Sequence, residues 1–276
     1  MEKNLNISQS NSKLEALIKV IGDPITHEPL EISPSYEHFI SKEIFYPIHN
    51  NIPIMLVQES QILKMYGKRH LEAWKIVQSI GEESYLFDGM EGNFSTENWL
   101  PAKDISKIIC QYIHKDDSVL DVGCGLLEKP AYIVDAFAKT KFFGVDPMLG
   151  IKERAFPFVQ AYGDFLPFRS NIFEMILYVS SLDHLIKPIQ SLREAYKILK
   201  PNGYVVIEET IRSVDKRYLQ WFLKQQIFGV ARYNKFHNHA FTFNSLINVI
   251  ERAGFKNLQV YRTCEANEMC IVAQKI

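Results

Sequence analysis

Between Val119 and Gly125 the chain reads Val-Leu-Asp-Val-Gly-Cys-Gly, an apolar run that stops at two glycines one residue apart. Such a run reads as a buried strand ending in a sharp turn, where the missing side chains let a ligand approach the backbone. The surrounding pattern says what kind of sheet carries this turn. Strands are expected at 118–122, 141–145, 157–161, 173–179 and 203–209, with helical segments near 130–139 and 188–200. That alternation predicts a parallel sheet with helices on both faces. The helix from Pro188 carries Ile189, Leu192, Tyr196 and Leu199 on one stripe, and Lys200-Pro201-Asn202-Gly203 stops it. A helix at 243–253 ends at Gly254, and strands at 257–262 and 268–274 then make an antiparallel hairpin.

With 276 residues, 47% of them hydrophobic, the chain is long enough for one large domain with a small appendage. The formal net charge of -1 gives no global electrostatic case for nucleic acid or an anionic membrane. Cys110, Cys124, Cys264 and Cys270 show no close pairing, which suits a reduced, cytoplasmic chain. No run approaches the ~18 to 20 apolar residues of a membrane span, and the polar residues 1–13 are expected to be a flexible leader. Residues 14–57 read as a small β-rich unit with prolines and turns every few positions. Residues 58–100 read as a connector, helical to Ile80 with a break at Gly67 and then a loop anchored by aromatics. Pro101 opens a helix through Ile113, and the main domain covers 101–276 with a lid insertion at 210–240.

The segments Asp23-Pro24-Ile25-Thr26, Pro29-Leu30, Tyr46-Pro47-Ile48 and Ile52-Pro53-Ile54 resemble the small zinc-ribbon-like Trm112 family. Its members carry Cys-Pro-x-Cys where this chain has Asp23 and Thr26. No cysteine precedes Cys110, so no zinc is expected here. His27, His38 and His49 are expected to be plain surface residues.

A dinucleotide would need a third glycine in Gly-x-Gly-x-x-Gly, but Glu128 stands there and would repel a pyrophosphate. A cofactor without phosphates meets no such repulsion. Asp121 before the glycines, Asp146 after the next strand, Gly163-Asp164-Phe165-Leu166-Pro167-Phe168 after the third, the Leu199–Gly203 turn and the final hairpin together resemble the class I methyltransferases that use S-adenosylmethionine. The likeness spans roughly residues 100–275. It implies a Rossmann-like, seven-stranded, mostly parallel α/β sheet with the small N-terminal unit added. It also implies that Asp146 holds both ribose hydroxyls, Asp164 accepts from the adenine amino group with Phe165 beside the base, and Asp121 lies near the methionine end. Gly123, Cys124, Gly125, Pro147 and Ser180 complete the implied cofactor contacts. One departure stands out: the family places a third glycine where this chain has Leu127, so 126–130 is expected to be a longer turn with Pro130 opening a late helix.

Methyl transfer from a sulfonium requires alignment and exclusion of water, with a base only where the acceptor must lose a proton. Asp183 and His184, just beyond the fourth strand, are the nearest candidates for that base. The 210–240 segment holds Arg212, Lys216, Arg217, Lys224, Arg232 and Lys235 against Asp215, an excess of five positive charges interleaved with aromatics and with His237 and His239. Arg212, Arg232, His237 and His239 are candidate acceptor contacts, and an anionic or carbohydrate-like small molecule would suit the charge. Two other readings stand beside this one: an RNA or protein methyltransferase docked through the N-terminal unit, and a catalytically silent scaffold.

Overall fold

The computed structural model describes residues 12–42, 44–87, 99–150, 153–213, 219–220, 223 and 238–276. Four short antiparallel strands come first and are neighbours in sequence order: β1 (Glu31–Ile32), β2 (His38–Ser41), β3 (Ile44–His49) and β4 (Ile52–Pro53). The main sheet follows with β5 (Ser118–Val122), β6 (Lys141–Asp146), β7 (Phe158–Gln160), β8 (Phe173–Val179), β9 (Leu199–Thr210), β10 (Lys256–Arg262) and β11 (Glu268–Gln274). Its order is β10-β11-β9-β8-β5-β6-β7, parallel from β9 to β7, with β11 inserted antiparallel between β9 and β10. The helices include α1 (Glu59–Tyr66), α2 (Lys68–Phe87), α3 (Ala102–Tyr112), α4 (Val134–Phe137), α5 (Pro188–Ile198) and α6 (Phe243–Ala253).

The sheet is covered on both sides, which is why its central strands are apolar at successive positions and not merely at alternate ones. Leu120, Val122, Ile176, Tyr178, Val205 and Ile207 serve one core, while Val119, Met175, Leu177, Val206 and Val272 serve the other. The expected strand bounds agree with the structure to within a residue or two except at β9. That strand starts at Leu199, directly after α5, and takes in the expected Lys200–Gly203 turn as a bulge where the register against β8 shifts. Asn202 adopts φ 64°, and a Cβ at Gly203 would lie 2.9 Å from the carbonyl oxygens of Glu174 and Lys200. The turn residues are therefore used to kink a strand, not to separate it from the helix.

The N-terminal unit has no core of its own. Leu14, Leu17, Ile21, Phe39, Tyr46 and Met55 belong to the same cluster as Leu120, Val145, Phe168 and Phe173. Ile54 pairs in parallel with Gln160, and the Met55 amide donates to the Gln160 carbonyl at 2.7 Å. The segment after β4 thus covers the free edge of β7, which would otherwise expose unpaired backbone groups. In packing, 14–57 is a part of the main body.

Asp23 organises its own turn through backbone hydrogen bonds. Its Oδ1 accepts from the amides of Ile25 and Thr26, each at 2.9 Å. No metal-binding group of side chains occurs among the described residues. His27 departs from the surface role expected of it: it is buried, with Nδ1 2.9 Å from the Phe168 carbonyl and Nε2 2.5 Å from Glu194 on α5. Its partners lie about 140 and 167 residues away, so no local pattern marks it. The connector breaks at Gly67 as expected, but α2 continues through Phe87, into the stretch expected to be a loop. The rest of that loop, 88–98, lies outside the described residues, as does the leader up to residue 11. All four cysteines are free thiols, and among the described residues no helix is long and apolar enough to cross a membrane.

Candidate functional site

From β5 the chain builds β6 and β7 on one side, then crosses back to build β8 and β9 on the other. The order reverses at β5 and β8, and the crevice beyond their carboxyl ends is where open parallel sheets bind ligands. The glycine turn sits there, with Gly123 at φ 78° and Gly125 at φ 69°. The two glycines do different work. A Cβ on Gly123 would lie 2.6 Å from the Ser181 Cβ, so this glycine makes room for the loop after β8, and the Ser181 hydroxyl donates to the Val122 carbonyl at 2.7 Å. A Cβ on Gly125 would meet nothing within 4 Å, and only this backbone is left open. Cys124 directs its side chain into the core below.

Asp146 ends β6 beside this turn, fully buried, and accepts from the Gly125 amide at 3.0 Å and the Met148 amide at 2.8 Å. Burial raises its pKa, and Arg154 opposes the rise. Sequence reasoning missed Arg154. It is buried and donates to the carbonyls of Gly125 (2.6 and 3.0 Å), Met148 (3.0 Å) and Leu149 (2.7 Å), with its guanidinium 3.6 Å from the Phe158 ring centroid. A lone arginine beyond the second strand gives no motif, and only the fold brings it to the glycine turn. Pro147 lies in the same loop and its carbonyl accepts from Gln160 at 2.7 Å.

Asp121 is buried under the turn. Its Oδ2 accepts from the Tyr132 hydroxyl at 2.7 Å, while Oδ1 has no partner among the described residues. Burial pushes its pKa up to about 7, Tyr132 pulls against that, and Asp146 adds to it. Asp164 is also buried but fully engaged, with Oδ2 accepting from the Trp74 indole at 3.1 Å and Oδ1 from the Lys187 amide at 2.6 Å. Phe165 packs with Trp74 and Tyr66 at centroid distances of 5.8 Å each. The adenine contacts implied for Asp164 and Phe165 therefore meet groups that α1 and α2 already use.

On the other side of the crevice, Ser180 (φ 47°) donates its hydroxyl to Glu208 Oε2 at 2.6 Å. Asp183 lies in a short 3-10 turn, its amide bonded to Glu209 at 3.0 Å and its carboxylate 3.5 Å from His184 Nε2. His184 is half-buried and close enough to Asp146 to bear on its titration. His239 returns to the same place: its amide donates to the Asp183 carbonyl at 3.0 Å, its ring stacks on Phe241, and burial lowers its pKa. Arg212 is exposed, and Arg232 and His237 lie outside the described residues, as does most of the expected lid. Glu208 and Glu209, also missed from sequence, are buried at the end of β9. Burial raises both, Glu208 to about 8.

The chain after the turn explains how Leu127 is accommodated. Residues 126–129 are bends, Pro130 is an extended cap, and a 3-10 turn (Ala131–Ile133) precedes the four residues of α4. No helix N-terminus abuts the glycines, so the dipole that a pyrophosphate would use is missing. The expected helix over 130–139 is correspondingly short.

Residues 100–260 match the family described as "Methyltransferase domain", more than half of the sequence, and the chain belongs to that family. It is 27% identical over 152 residues to an uncharacterised methyltransferase of Schizosaccharomyces pombe, covering 46% of this chain and 52% of that one. It is 25% identical over 111 residues to the demethylmenaquinone methyltransferase of Lactiplantibacillus plantarum, covering 35% and 47%. The chain thus spans about half the length of the curated relatives it matches. It shares its fold with the Burkholderia thailandensis 1,6-didemethyltoxoflavin-N1-methyltransferase, whose structure holds 1,6-didemethyltoxoflavin and S-adenosylhomocysteine (TM-score 0.56, 16% identity, 86% of this chain and 98% of that one). The [4+2]-cyclase SpnF has the same fold (TM-score 0.52, 15% identity, 72% and 96%).

Proposed function

We propose that this chain transfers a methyl group from S-adenosylmethionine to a small-molecule acceptor. The observation that carries the reading is the Asp121 Oδ1 atom, buried without a partner among the described residues beside the one open glycine of the switch-point turn. A buried carboxylate oxygen left bare is costly, and a ligand ammonium would satisfy it. S-adenosylmethionine supplies the methyl group on a positively charged sulfur. Asp121 would hold its ammonium, and Asp146, fixed by the Gly125 and Met148 amides, has lone pairs left for two ribose hydroxyls. At the adenine end, Asp164 would share its acceptors with Trp74 and Lys187. Asp183 and His184 are the residues we assign to proton handling at the acceptor, with Ser180 shaping the floor between them and β9.

The N-terminal unit we read as a zinc-less Trm112-like element that seals the β7 edge beside the cofactor loops. A small acceptor is supported by the toxoflavin-type substrate of the Burkholderia enzyme. The anionic or carbohydrate-like character expected from the lid rests on side chains outside the described residues, and the described rim on that side is acidic. Calorimetry with S-adenosylmethionine tests the reading: binding in the micromolar range is expected, with loss on Asp146→Ala in a variant that keeps its circular dichroism. Retained affinity in that variant would remove Asp146 from the site. Tritiated methyl transfer into cell extract should label the low-mass fraction, and label confined to macromolecules would defeat the small-molecule acceptor.

A further inference from the structure

Tyr132 carries a buried phenol that no sequence motif marks. Its hydroxyl donates to Asp121 Oδ2 at 2.7 Å, while Asp121 Oδ1 has no partner among the described residues. Asp121 faces the same side of the sheet as Val119 and Leu177, and Tyr132 belongs to the core on that side, with Ile105 and Ile109 of α3. Trp99, just ahead of α3, sets its ring nearly perpendicular to that of Tyr132, with centroids 6.4 Å apart. Packing thus holds the phenol where it meets the acid.

The path of the chain gives this side chain its task. A helix starting directly after a glycine turn can offer its first amides to a nearby carboxylate. Here residues 126–129 bend, Pro130 is extended at ψ 143°, and Tyr132 follows as the middle residue of the 3-10 turn. The departure at Leu127 therefore goes with a phenol donor in place of helix amides. A neutral donor on one carboxylate oxygen fixes the rotation of the group and favours its ionised form. A lysine or arginine in the same place would also repel an incoming ammonium.

Resting on the methyltransferase reading, we propose that Tyr132 is the positioning residue for the methionine end of the cofactor, its hydroxyl locking Asp121 Oδ2 so that Oδ1 is the oxygen offered to the ammonium. Burial and the neighbouring Asp146 push Asp121 toward its protonated form, and the Tyr132 bond opposes them. The phenol keeps its own proton, because burial and Asp121 raise it well above its ordinary value. The other titratable groups bearing on the pair are the Cys124 thiol in the turn and Glu208 from β9, with Arg154 and His184 acting on Asp146. Removing the hydroxyl therefore raises the pH at which Asp121 ionises.

The test is calorimetry of S-adenosylhomocysteine, which keeps the ammonium and withstands alkaline buffer, from about pH 6 to about pH 9. The full chain is compared with Tyr132→Phe and Asp121→Asn. The ligand's own amine titrates alike in all of them, so differences between the proteins report Asp121. In Tyr132→Phe the rise of affinity with pH should move up by about one pH unit, a size that a hydrogen bond to a charged group supports. With Asp121 at about 7 in the native chain, binding at pH 7 should then be about fivefold weaker and the two proteins should agree within about twofold by pH 9. Lost packing alone would weaken binding equally at every pH, and that result, or a profile that does not move, overturns the proposal. Adding Tyr132→Phe to Asp121→Asn should leave the Kd within about twofold, and the full loss there would equally overturn it. If Tyr132→Phe does not fold, Tyr132→3-fluorotyrosine keeps the ring and makes the hydroxyl a stronger donor. The midpoint should then move down, and an unmoved midpoint refutes the assignment. A native chain that binds neither S-adenosylhomocysteine nor S-adenosylmethionine would sink the methyltransferase reading and this assignment with it.

Discussion

Replacing Arg154 by Met should cost more stability than any single change elsewhere on the sheet edge. The guanidinium makes four N–H···O contacts to the three carbonyls of Gly125, Met148 and Leu149, and lies 3.6 Å from the Phe158 ring centroid. Met can keep the packing on Phe158 but leaves three carbonyls without this donor, at roughly 1–3 kcal/mol for each group left unsatisfied. It also takes a positive charge from beside buried Asp146, and breaking such an arrangement costs about 3–5 kcal/mol. These overlap, so about 4 kcal/mol is the expected loss, or about 8–16 °C in Tm at the ~2–4 °C per kcal/mol usual for domains approaching this size. Differential scanning calorimetry on the purified chain measures it. Arg154→Lys should fall between, since the point charge is kept and the planar fork is lost. A Tm for Arg154→Met within about 3 °C of native would refute the idea that this residue ties the glycine turn to the loop after β6.

Further outcomes follow from other contacts. Gly123→Ala combines a φ of 78° with a Cβ 2.6 Å from Ser181, so a loss of about 2–4 kcal/mol in urea melts is expected, whereas Gly125→Ala, with φ 69° and open space, should cost about 1–2 kcal/mol. His27→Ala takes the imidazole from Glu194 Oε2 while Oε1 keeps Gln190 and Lys197, so a loss of about 2 kcal/mol is expected, and a change below about 0.5 would remove His27 as a docking contact. Asp121 has a folded pKa of about 7, well above its ordinary value of 3.8, so without ligand the folded state holds the extra proton. Its contribution to stability is therefore greatest below about pH 4 and falls as pH rises to 7. A cation held by Asp121 needs the ionised form, so the S-adenosylmethionine Kd should weaken up to tenfold per unit below pH 7 and flatten in Asp121→Asn. An unchanged pH profile in that variant would free Asp121 of this role.

What could be read from the sequence was whatever is specified by neighbours in the chain. The strand at 118–122 and its two glycines, the helix at 243–253 with Gly254 as its left-handed cap, and the final hairpin each carry their cue within a few residues. Asp146 also had a local sign, an acid closing an apolar strand. What stayed hidden depends on distant partners. His27 looks like one more polar residue until Glu194 arrives from α5, and Arg154 looks like a surface charge until Gly125 and Met148 surround it. Glu208 and Glu209 sit in a run that reads only as a strand end, and their burial follows from β11 and β8 closing on both sides. The N-terminal unit was visible as a compact stretch, but nothing in 14–57 announces that Ile54 will pair with Gln160.

The acids along the sheet edge differ less in burial than in how completely they are bonded, and that gradient has a direction. Past β7, Asp164 has a donor on each oxygen. At β6, Asp146 has two amides and the nearby charge of Arg154. At β5 and β9, Asp121 and Glu208 have, among the described residues, one hydroxyl each and one bare oxygen. Fixed amides and an indole suit the end of a ligand that brings only neutral dipoles, because they need no reorganisation when it arrives. A bare buried oxygen is tolerated only as a protonated acid or beside a cation, so positive charge belongs at the β5 to β9 end. On the proposed function, nucleoside toward β7 and charge toward β9 is the orientation that sets positive charge against the acids with an unbonded oxygen and a neutral group against the acid already bonded. Reversing the ligand would set an ammonium against an Asp164 already satisfied by Trp74 and leave Asp121 facing a neutral base.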